Sequence, residues 1–121
     1  MKAGPEFEFY LFDHIAYHVS PQQSSYEIDA DQAEWNTGDH TKPNLGHKIP
    51  SKSGYHITPP MDVSYNLRSQ LTLLLEERGI DVKYHHHEVG GPGQLEIEVE
   101  AGPMRKMADA TMLIKYIVKN L

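Results

Sequence analysis

The chain has 121 residues, with 17 acidic and 11 basic side chains and a formal net charge of −6. That balance argues against a nucleic-acid backbone as partner, because phosphate binding needs clustered Lys and Arg. The absence of cysteine excludes a disulfide framework and any thiolate nucleophile or metal ligand.

Apolar residues make up 39%, enough for one modest core. No apolar run approaches the roughly 20 residues that span a bilayer, and Met1–Glu6 has no signal-peptide core. No membrane partner and a cytoplasmic location are therefore expected.

Phe7, Phe9 and Leu11 alternate with Glu6, Glu8 and Tyr10, the period-two pattern of a half-buried strand. Ile15–Val19 and Tyr26–Ile28 can pair as a short hairpin across Pro21-Gln22-Gln23, and Asp29–Trp35 suits one or two helical turns. Asn36, Gly38, Asn44, Gly46, Gly54 and four prolines predict a long loop over about 36–61, least ordered over 36–54. After Pro59-Pro60, Asp62 is a good N-cap. Val63, Leu67, Leu71, Leu74 and Leu75 then recur at helical spacing, and Gly79 is a stop, predicting a helix over 62–78.

Ile80–Glu88 and Gln94–Glu100 flank Val89-Gly90-Gly91-Pro92-Gly93, so they read as a hairpin. Leu95, Ile97 and Val99 face one way and Gln94, Glu96 and Glu98 the other. Pro103 opens a last helix over 103–120 with an apolar stripe of Met104, Met107, Ala108, Thr111, Ile114, Ile117, Val118 and Leu121. The expected fold is α+β: strand, long loop, helix, strand, strand, helix, with both helices on one face of a small sheet.

Four carboxylates carry the candidate chemistry. Glu6 and Glu8 share a strand face, roughly 7 Å apart by strand rise. Glu88 and Glu96 flank the hairpin turn, and a register in which 88 faces 96 would oppose like charges. A divalent cation converts that repulsion into binding, and Mg²⁺ favours such oxygen ligands. Spacing alone leaves the alternative that all four are solvent-facing glutamates.

His85, His86 and His87 cannot all serve one ion, because successive strand residues alternate faces. His86 shares the face of Glu88 and is a candidate neighbour of the site. Gly90-Gly91-Pro92-Gly93 lacks the Lys and following helix of a phosphate-binding loop and reads as a turn.

Several blocks then form a pattern. Gly4-Pro5-Glu6-Phe7-Glu8-Phe9-Tyr10-Leu11-Phe12-Asp13 resembles the first metal-binding strand of type I glutamine synthetases. Ile28–Gly38, with Asp29-Ala30-Asp31-Gln32-Ala33-Glu34-Trp35, is similar to the loop that follows it. Lys52-Ser53-Gly54-Tyr55 with Pro59-Pro60-Met61-Asp62 and Leu67-Arg68 matches the next family block. The strongest resemblance is His85-His86-His87-Glu88-Val89 with Gly93-Gln94-Leu95-Glu96, followed by Lys106-Met107-Ala108-Asp109 and Lys115–Asn120. The resemblance is colinear over nearly the whole chain.

The resemblance implies half of a glutamine synthetase-like catalytic domain, residues 1–121 being a partial domain. The family makes glutamine from glutamate, ammonia and ATP through γ-glutamyl phosphate, with Mg²⁺ or Mn²⁺. By matching positions, Glu8, Glu88 and Glu96 are implied as ligands of a first ion and Glu6 of a second. Tyr55 and Glu88 are implied at the ammonium site. Lys83 departs from the pattern, standing where the family usually has a Glu near the nucleotide.

Full family members are several-fold longer, and their other second-metal ligands and substrate arginines are expected beyond these residues. The isolated chain is therefore expected to be inactive and to self-associate as a homo-oligomer. Two alternatives are a non-catalytic metal- or partner-binding remnant and a γ-glutamyl ligase with an amine acceptor.

Overall fold

A computed structural model describes residues 1–121. Its centre is a three-stranded antiparallel sheet in the order β2–β6–β5, formed by Glu6–Tyr10 (β2), Val82–His87 (β5) and Gln94–Val99 (β6). Two short strands, Lys2–Ala3 (β1) and Gly102–Pro103 (β7), pair beside it. A separate hairpin joins His14–Val19 (β3) to Ser24–Asp29 (β4), as the Pro21-Gln22-Gln23 turn predicts. Asp29–Trp35 yields one short 3-10 turn, at Glu34–Asn36.

Two helices, Tyr65–Glu76 (α1) and Met104–Asn120 (α2), cover one face of the sheet. Ile97 and Val99 of β6 enter a core with Leu71, Leu75, Ile80, Met107, Ala110, Ile114 and Ile117, and Phe7 and Phe9 pack against it. The alternation on β2 and β6 thus sends apolar side chains to the helices and carboxylates to the other face. Five expected apolar positions lie outside the core: Leu11, Met104 and Leu121 are each about half exposed, and Val63 and Ala108 are exposed too. No helix is long and apolar enough to cross a membrane.

Three expectations change. First, α1 begins at Tyr65 and Ser64 holds the N-cap position. Asp62 is taken elsewhere: its buried carboxylate accepts from the Ser64 amide and hydroxyl and from both terminal nitrogens of Arg68. Second, α2 starts at Met104, with Pro103 just before it.

Third, the hairpin register differs by two residues: His86, not Glu88, faces Glu96. The Glu88 amide instead donates to the Gln94 carbonyl at 2.8 Å, so the turn closes more tightly than a pairing of 88 with 96 requires. Gly93 permits this at φ +83°, where a Cβ would lie 2.2 Å from the Leu11 carbonyl oxygen. A shift of two preserves every face, so the carboxylates still converge.

The 36–61 segment is irregular, as its prolines and glycines predict, but it is fastened at both ends. The Ile49 amide donates to the Gln32 carbonyl at 2.7 Å, and the His56 amide to the His87 carbonyl at 3.0 Å. Those two bonds lay the loop across the strand ends and bring Tyr55 and His56 to the polar face.

Candidate metal centre

The polar face is set by register. On β2 and β6, Glu6 faces Glu98 and Glu8 faces Glu96; on β5, His86 also faces Glu96. Paired residues share a face, so five polar side chains project to one side of three strands.

Two groups of ligand atoms result. His86, Glu88 and Glu96, all buried, place an imidazole nitrogen and two carboxylate oxygens within 4.8 Å of one another. Glu6, Glu96 and Glu98 form a second, outer group at the same spacing, with Glu96 common to both. His86 Nε2 is 3.4 Å from Glu96 Oε2. Burial pushes the Glu96 carboxyl above its ordinary pKa; His86 opposes that, while Glu88, Glu6 and Glu8 add to it.

Neighbouring groups hold this arrangement. Glu88 Oε2 accepts from the Val89 amide at 2.5 Å. Gln94 bridges the strands: its Nε2 donates to Glu8 Oε2 at 2.8 Å and its Oε1 accepts from the Gly90 amide. His87, fully buried on the opposite face, has Nδ1 2.9 Å from the Gly54 carbonyl and 3.0 Å from that of Glu88. His85 accepts at Nδ1 from Arg68 Nε at 3.2 Å, and burial followed by the Arg68 charge lowers its pKa.

Aromatic rings wall the site. The His56 ring stacks on His86 at 4.1 Å between centroids, and the exposed Tyr55 ring meets His86 edge-on at 5.3 Å. At the outer rim, Lys83 Nζ is 2.7 Å from Glu98 Oε1. That bond, with the Tyr84 hydroxyl, holds Glu98 below its ordinary pKa, and Glu98 in turn raises those of Lys83 and Tyr84.

Buried, like-charged oxygens with one imidazole nitrogen are a donor set suited to Mg²⁺ or Mn²⁺. The structure brings Glu88 and Glu96 together with His86. It puts Glu6 with Glu96 and Glu98. Glu8 stands opposite Glu96 with its carboxylate turned to Gln94, and Tyr55 stands beside His86.

Sequence reasoning missed the Gln94 bridge, the Arg68–Asp62 pair and the Lys83–Glu98 pair. Gln94 and Asp62 carried no signal beyond their residue type. The Lys83–Glu98 pair depends on a β-bulge that periodicity does not reveal.

Comparison with known proteins finds relatives along the whole chain. The sequence profile described as "Glutamine synthetase, catalytic domain" matches residues 1–121. The chain is 43% identical over 118 residues to a glutamine synthetase of Streptomyces filamentosus and 44% identical over 119 residues to one of Frankia alni. Each alignment covers 98% of this chain and 25% of the relative, so the chain spans about a quarter of their length. A Plasmodium falciparum glutamine synthetase structure superposes with a TM-score of 0.83 at 26% identity, covering 98% of this chain and 24% of that one. The chain thus has the α+β fold of part of a glutamine synthetase catalytic domain. It belongs to the glutamine synthetase catalytic-domain family.

Proposed function

We propose that the chain is part of a glutamine synthetase, a cytoplasmic ligase that joins ammonia to the γ-carboxylate of glutamate using ATP, through γ-glutamyl phosphate. The observation that carries this reading is the convergence of buried Glu88 and Glu96 with His86 in a chain that matches the family along its whole length. Divalent ions, when bound, neutralise the phosphoryl group in transit.

The remaining roles belong to this chain's own side chains. Glu8, Glu88 and Glu96 are proposed to hold a first ion, Glu8 by turning from Gln94, and Glu6 to contribute to a second. Glu88 and Tyr55 are proposed to receive ammonium beside that centre, where an anionic wall favours NH₄⁺ over neutral competitors. Substrate glutamate and the nucleotide phosphates need positioning groups from the rest of the catalytic domain, so the 121-residue chain alone is expected to be inactive.

The test is a chimera. Residues 1–121 replace the matching quarter of the Streptomyces filamentosus enzyme, and ATP-dependent glutamine formation is measured. Activity that disappears with Glu88→Gln is the expected result. An assembled chimera that binds Mn²⁺ and makes no glutamine would overturn the ligase reading in favour of a non-catalytic metal-binding role. One that uses amines and not ammonia would favour a γ-glutamyl ligase of different acceptor.

A further inference from the structure

The outer group of the polar face has a cation of its own. The carboxylates of Glu6, Glu96 and Glu98 gather within 4.8 Å, and like charges that close require compensation. Lys83 supplies it, with Nζ 2.7 Å from Glu98 Oε1. The ammonium lies on the solvent side: the Lys83 side chain is 46% exposed and that of Glu98 only 13%.

Strand geometry makes this contact a local construction. Val82 faces Val99 and Tyr84 faces Glu98, so Lys83 is an extra residue with no partner on β6. In a regular strand Lys83 would share the face of His85 and His87, away from Glu98. The bulge re-aims it to the polar face, as bulges do at the edges of sheets. β5 is an edge strand, so nothing on its far side opposes the turn.

We propose that Lys83 is a tethered cation that withholds Glu98 from divalent metal, so that this chain takes one ion, at the inner centre held by Glu88 and Glu96, and not a second at Glu6–Glu96–Glu98. An ammonium at 2.7 Å occupies a lone pair of Glu98 and cancels one charge of the three. Glu6 stays free of that bond and remains available to an ion completed by groups outside this chain. Lys83 is thus a residue that sets metal number. The inference rests on reading the inner group as metal-binding, and its test separates the two.

The measurement is the number of Mn²⁺ ions bound per chain, from the electron paramagnetic resonance of free Mn²⁺ with calorimetric titration alongside. The wild-type chain is expected to bind one ion and Lys83→Met two. Lys83→Arg, which keeps a tethered charge, is expected to bind one, and Lys83→Met with Glu98→Gln to return to one. Lys83→Gln replaces Lys83→Met if the apolar side chain prevents folding by circular dichroism.

Equal counts in the wild type and Lys83→Met would overturn the role of Lys83, as would a second ion that survives Glu98→Gln. A wild type that binds one ion while Lys83→Met gains none defeats this inference alone. A wild type that binds none defeats the reading of the inner group as well.

Discussion

Glu8 of β2 stands directly opposite Glu96 of β6, two carboxylates facing each other across one pair of strands. Directly opposed like charges cost a sheet about 0.2–1 kcal/mol. Glu96→Gln removes that repulsion, so in EDTA its melting temperature should rise by about 1–4 °C. In excess Mn²⁺ the order should reverse, because the variant has lost a ligand. A lower melting temperature in EDTA would mean that Glu96 is structural in its own right.

The Asp62–Arg68 pair is buried on both sides, with side-chain exposures of 1% and 2%. Arg68→Met leaves the Asp62 carboxylate buried without its partner and should cost about 3–5 kcal/mol in urea unfolding.

Its pH dependence has a definite sign. Burial alone would raise the Asp62 pKa, but the hydrogen bonds and charge of Arg68, with Ser64, bring it below the ordinary 3.8. A depressed carboxylate contributes stability that is present above its unfolded value and lost as pH falls through the folded one. The stability gap between wild type and Asp62→Asn should be full at about pH 5 and shrink below about pH 3.8. A gap that widens on acidification would contradict this.

Gly54 sets how closely the loop approaches the site. A Cβ there would lie 2.5 Å from the Glu88 carbonyl oxygen and 2.7 Å from the His87 ring. Backbone cannot yield that distance, so Gly54→Ala should cost about 1–3 kcal/mol. It should also weaken Mn²⁺ binding, because Glu88 moves with its backbone. Unchanged stability and Mn²⁺ affinity would show that the loop is not fastened as described.

Much of this was legible in the sequence, and the reasons differ by element. Alternation along Phe7, Phe9, Leu95, Ile97 and Val99 set which face meets the helices, because a strand has only two faces. Parity then brings the glutamates together in any register that keeps the apolar side chains on the helix face. The register itself was not legible: a shift of two keeps every face, so no hydrophobic pattern separates 86 opposite 96 from 88 opposite 96. The sequence starts α1 too early because Asp62 is a good cap by type, and only the fold shows its carboxylate committed to Arg68. The roles proposed for Tyr55 and Glu6 rest on family resemblance, since one exposed Tyr carries no spacing signal and the spacing of Glu6 from Glu8 marks only a shared strand face.

Self-association is expected from two exposed features. The outer edges of β2 and β5 are unpaired, and the β3–β4 hairpin exposes Ile15, Tyr17, Val19 and Tyr26 at 61–78%. Open edges and exposed apolar side chains invite pairing with another copy. Sedimentation velocity should give a dimer or larger species at high concentration. A monomer throughout, with Tyr17→Lys and Tyr26→Lys causing no change, would exclude this surface.

The central claim is that Glu88 and Glu96 converge to bind a divalent ion, and Mn²⁺-dependent thermal stabilisation tests it most directly. The wild-type chain should melt higher as Mn²⁺ is added, since an ion that binds only the folded state stabilises it by mass action. Glu88→Gln with Glu96→Gln should melt higher than wild type in EDTA and gain nothing from Mn²⁺. A double variant that melts lower in EDTA and still gains as much from Mn²⁺ as the wild type would show that the ion, if any, is held elsewhere.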